Sequence, residues 1–174
     1  MIAEPILNAI LHLFAITTLP LNKIEQELAK KNVLSYLENH IGLTDAGIYI
    51  DLYQELIEAH QDEEDNVLIS SAERIANQLK TLLQESEKYV AIVCFAELAV
   101  ISDSPLPVQI VKLIGRKLAL EEQFVEQMLL FIRNPISTKN ENIKLLMQNH
   151  LSIMRSPEKK LYFLSPTKEN IIEN

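Results

Sequence analysis

Between Pro5 and Thr17 apolar side chains recur at Ile6, Ala9, Ile10, Leu13 and Ile16, the spacing of one helical face. Leu7, Leu11 and Phe14 widen that stripe until the helix reads as buried on most sides. Pro20 ends the run, and Asn22 followed three residues later by Glu25 is a capping pair for a second helix reaching His40. Its expected apolar face is Leu21, Ile24, Leu28, Val33 and Leu37. Gly42 is placed to close that helix in a left-handed conformation, and Thr44 or Asp45 can cap the next, which runs to His60 with Ile48, Leu52, Leu56 and Ala59 on one face.

The charged stretch 61–66, QDEEDN, reads as a loop, after which Ser70 and Glu73 form an S-x-x-E box ahead of a helix over Ile75, Leu79, Leu82 and Leu83. A strongly apolar helix spans 86–100. SDSPLP then supplies a stop, a cap at Ser104 and a proline at the first position of the next helix, 105–118, which buries Val108, Val111, Leu113 and Ile114. Glu121 and Glu122 open a further helix ending at Arg133, and beyond Asn134-Pro135 an amphipathic segment, 140–154, presents Ile143, Leu146, Met147, Leu151 and Met154. The pattern predicts an all-α bundle of about seven to eight helices within residues 1–155. Residues 156–174 change character and form a tail or the start of a following segment, as expected if the chain is the N-terminal part of something longer.

Composition agrees with helices. Only 3 glycines occur in 174 residues, too few for a turn-rich β architecture. The net charge of -8 is uneven, because the last 42 residues carry seven Lys or Arg against four Glu. The acidic body repels nucleic acid and anionic lipid. The apolar stretch at 1–21 lacks a basic n-region, and its uncharged runs are broken by polar residues, so no direct membrane insertion is expected. A single cysteine, Cys94, sits in an apolar helix and reads as a small buried hydrophobe in a cytoplasmic protein.

Chemistry is sparse. The chain has no G-x-S-x-G, no phosphate-binding glycine loop and no H-E-x-x-H. His12, His40, His60 and His150 lie on different elements without ligand spacing and read as core or surface imidazoles. The run Asp62, Glu63, Glu64 and Asp65 beside His60 is the densest oxygen set, but it lacks the spacing of a calcium loop and reads as a solvated acidic surface. These absences point away from an enzyme.

Two stretches share a layout. Phe14-Ala15 and Phe95-Ala96 each close an apolar helix, and each is followed by a turn, a helix and a hydrophobic clasp, HIGLTD at 40–45 and KLALEE at 117–122. This layout resembles the TerB-like, tellurite-resistance domain, most specifically in FAELAVISDSPLPVQIVKLIGRKLALEEQFVEQML. The resemblance implies two related helical units and a non-enzymatic interaction or scaffolding role in stress-response or membrane-linked complexes. The implied partner is another protein, a fused domain or a second copy. It also implies an alternative role as a divalent-metal sensor, with Ca²⁺ or Mg²⁺ held by loop carboxylates. Here the matching positions offer only Glu25 in the first loop and Asp103 in the second, with Glu97 upstream, while Gln109 stands where a further acid would fall. That set is thin for a cation requiring six to eight oxygens.

Overall fold

A computed structural model of the chain describes residues 4–134, which form seven α-helices and no strand among the described residues. The helices are α1 (Glu4–Thr18), α2 (Lys23–Ile41), α3 (Leu43–His60), α4 (Asp65–Leu82), α5 (Glu85–Ala99), α6 (Pro105–Lys117) and α7 (Glu122–Arg133). The expected 140–154 helix and the tail lie outside the described residues.

The wide apolar stripe of α1 makes it the hub. Leu7, Ile10, Leu11, Leu13, Phe14 and Ile16 are all buried, and the helix packs against α2, α3, α4, α5 and α6. Its last turn brings two hydroxyls into the core. Both are satisfied by donating backwards, Thr17 to the Leu13 carbonyl at 2.7 Å and Thr18 to that of Phe14 at 2.8 Å. The Tyr53 hydroxyl, reaching in from α3, donates to Thr18 Oγ1 at 2.9 Å, and burial pushes that phenol's pKa up.

The Asn22–Glu25 capping box forms as expected: Asn22 Oδ1 accepts from the Ile24 and Glu25 amides, and Glu25 Oε2 accepts from the Asn22 amide. Other local expectations shift. α4 begins at Asp65, five residues before the predicted box, so Ser70 lies inside the helix and donates to the Asn66 carbonyl, while Glu73 pairs with Lys117 on α6. Neither Thr44 nor Asp45 caps α3. Its buried face is Ala46, Ile50, Tyr53 and Ile57, rotated from the predicted one, and Ile48 is 68% exposed. On α2, Ile24 and Leu28 also face outward at 78% and 48%. On α2 the step of five from Leu28 to Val33 breaks the helical spacing, which puts Ile24 and Leu28 on the side away from the buried Ala29, Val33 and Leu37, whereas α3 carries more apolar residues than one core face can cover.

Gly42 alone joins α2 to α3, at φ 85° and ψ 166°, a region that residues with a Cβ avoid. Nothing lies within 4 Å of the position a Cβ would take. Gly42→Ala therefore tests backbone strain without a clash. It is expected to lower stability by about 2 kcal/mol in chemical denaturation, whereas an unchanged midpoint would show that the turn relaxes.

The left-handed helix end expected at Gly42 is not formed there, since ψ is extended, and the clasp after α6 closes differently. Ala119, third in KLALEE as Gly42 is third in HIGLTD, is the one non-glycine residue with positive φ (63°) among the described residues. Here the Leu120 amide donates to the Gly115 carbonyl and the Ala119 amide to that of Arg116, a Schellman closure of α6. In the core, Phe14 of α1 and Phe95 of α5 pack edge to face at 5.1 Å.

Candidate functional site

The three carboxylates singled out as metal ligands occupy separate settings. Glu25 is engaged in the α2 cap, Glu97 lies half-buried on α5, and Asp103 is exposed in the α5–α6 turn. In that turn Ser102 Oγ accepts from the Ser104 amide at 3.0 Å, while Ser104, expected to cap α6 with its side chain, stands at the N-cap without a side-chain cap bond. Among the described residues no group of three or more His, Cys, Asp or Glu is arranged to hold an ion. Cys94 is buried on α5, where desolvation raises its thiol pKa well above the usual value and keeps it unreactive. No helix of the described residues is long and apolar enough to cross a membrane.

Two histidines that spacing left apart are brought together. His12 on α1 and His60 at the end of α3 sit with ring centroids 6.1 Å apart, edge to face. Each ring is held through Nδ1, that of His12 lying 3.2 Å from the Asn8 carbonyl and that of His60 lying 2.9 Å from Glu63 Oε1. A carbonyl can only accept, so Nδ1 of His12 carries the proton and Nε2 is left for another partner. The acidic loop shrinks to residues 61–64, and Glu63 turns back from it to orient His60.

The two rings line a cleft of about 270 Å³ between α1 and α4. α1 supplies Pro5, Ala9, His12 and Ile16, spaced as one helical stripe, and α4 supplies Ser71, Arg74, Ile75 and Gln78, spaced as another. The sequence signal was there in each stripe, but which stripes face one another is a property of the packing. His40, by contrast, is buried against α2, its ring stacked on Tyr36 at 4.0 Å and its Nδ1 2.6 Å from the Tyr36 carbonyl.

A second concavity, of about 300 Å³, is apolar. Val100, Val108, Leu129 and Leu130 line it, with Lys112, Glu126 and Arg133 at its rim. Lys112 Nζ and Glu126 Oε1, 2.6 Å apart, tie α6 to α7 across it. Leu130 is 63% exposed although α7 buries Val125, Met128, Leu129 and Phe131.

No family model, curated protein or solved structure matches the chain. What the geometry of the described residues defines is an all-α helical bundle.

Proposed function

We propose that the protein is a non-enzymatic interaction module that pairs with a second copy of itself through α7. The observation that carries this is the exposed Leu130 beside the apolar groove, flanked on the same helix by Glu126 and Arg133 one heptad apart. Two α7 helices crossing antiparallel about a twofold axis between Leu129 and Leu130 set Glu126 of one copy opposite Arg133 of the other. The patch is thus complementary to itself, as an isologous interface requires. Glu126 keeps a second carboxylate oxygen for that contact while Oε1 holds Lys112. The positive φ at both Gly42 and Ala119 and the packing of Phe14 on Phe95 support the two-unit, TerB-like reading, in which scaffolding rather than catalysis is the role.

Light scattering across a concentration series tests this. The wild-type chain is expected to dimerise. Leu130→Glu, which puts a charge at the centre of the contact, should leave a folded monomer with at least a tenfold weaker association, as expected for removing a central apolar anchor worth about 2 kcal/mol. A wild-type chain that stays monomeric at every concentration, or a Leu130→Glu dimer as tight as the parent, would overturn the proposal.

A further inference from the structure

The cleft between α1 and α4 differs in character from the surface around it. The chain holds 24 Asp and Glu against 16 Lys and Arg, yet no carboxylate is among the described residues lining this cleft. The groups that line it are the His12 and His60 imidazoles, the Arg74 guanidinium, the Ser71 hydroxyl and the Gln78 amide, set against an apolar wall of Pro5, Ala9, Ile16 and Ile75. Arg74 makes no hydrogen bond or ion pair with another described residue, so its fork of donors is available. Glu63 stands behind His60, bonded to its Nδ1, and orients that ring rather than lining the cleft.

We infer that this cleft binds a small organic oxyanion, a phosphate- or carboxylate-headed molecule with a short apolar body. Arg74 offers the two parallel donors that such a head group takes, and Ser71 and Gln78 add neutral donors from the same face of α4. The four apolar side chains suit a body of a few carbon atoms within about 270 Å³. A cation fits the site poorly because Arg74 stands in its wall.

The test is to follow the imidazole resonances of the full chain by NMR while adding inorganic phosphate at constant ionic strength, then acetate in its place. His12 and His60 signals are expected to move together and saturate, while the buried His40 serves as an internal reference. Arg74→Gln, at an exposed position that leaves the core intact, should weaken phosphate binding roughly tenfold or more, the usual loss for a charge-assisted contact. Saturation by phosphate alone identifies a phosphate-headed ligand, and saturation by both identifies the wider carboxylate class. Non-saturating shifts, equal shifts with chloride, or wild-type affinity in Arg74→Gln would overturn the assignment. A response to Zn²⁺ without one to phosphate would do the same, replacing an anion site with a metal site.

Discussion

Phe14→Ala is expected to remove about 4 kcal/mol of stability, the usual loss when a fully buried phenylalanine is truncated in a core that cannot collapse around the void. Phe14 is 1% exposed and packs edge to face on Tyr36 of α2 and on Phe95 of α5, each at 5.1 Å. The ring therefore ties together three helices, and the two aromatic contacts add to the area it buries. An inward shift of α1 would disturb the bond that the Tyr53 hydroxyl of α3 donates to Thr18 at its last turn. In thermal melting the change corresponds to a fall of roughly 10 °C for a chain of this size. Denaturant titration should show a lower midpoint with an unchanged slope. A loss below about 1 kcal/mol would mean that α2 or α5 moves in to fill the space, and that α1 is not the rigid hub its burial indicates.

That hub was readable before any coordinates, because its apolar positions exceed what one helical face can hold and a helix of that kind has to be enclosed. The caps at Asn22 and the proline at the start of α6 were readable for a similarly local reason, since each depends on groups within three residues of one another. What was not readable required knowing which face meets which neighbour. Ile24, Leu28 and Ile48 carry the spacing of a core face yet stand in solvent, and Ser70 with Glu73 carries the pattern of a helix start while α4 begins at Asp65. Glu73 instead reaches Lys117, a long-range partner that no local pattern encodes. The same limit hid the cleft. His12 and His60 lie 48 positions apart, and they share a site only because α3 returns its C-terminus to the flank of α1. The carboxylates picked out by resemblance were local features too, and at Glu25 the local explanation, a helix cap, is the one the structure displays.

Gly115 tests the seam between α6 and α7, and the sign of the effect is what decides. In the interior of an exposed helix, replacing glycine by alanine gains about 1 kcal/mol. Gly47 on α3 should follow that rule, since nothing lies within 4 Å of its missing Cβ. At Gly115 a Cβ would come within 2.7 Å of Val125 Cγ2 on α7 and 3.6 Å of Ile92 Cδ1 on α5. Val125 is 2% exposed and β-branched, with one strongly preferred rotamer on a helix, so it cannot swing aside. Relief must come from moving α7 away from α6. Gly115→Ala is therefore expected to lose about 1 kcal/mol net, and Gly115→Leu about 3 kcal/mol, measured by denaturant unfolding beside Gly47→Ala. The displacement would also part Lys112 from Glu126 and spread the groove between Val108 and Leu129. If α7 carries the dimer contact, Gly115→Ala should weaken self-association while its chain remains folded. A Gly115→Ala protein more stable than its parent would show instead that the α6–α7 contact has slack, and the groove would then owe its shape to other residues.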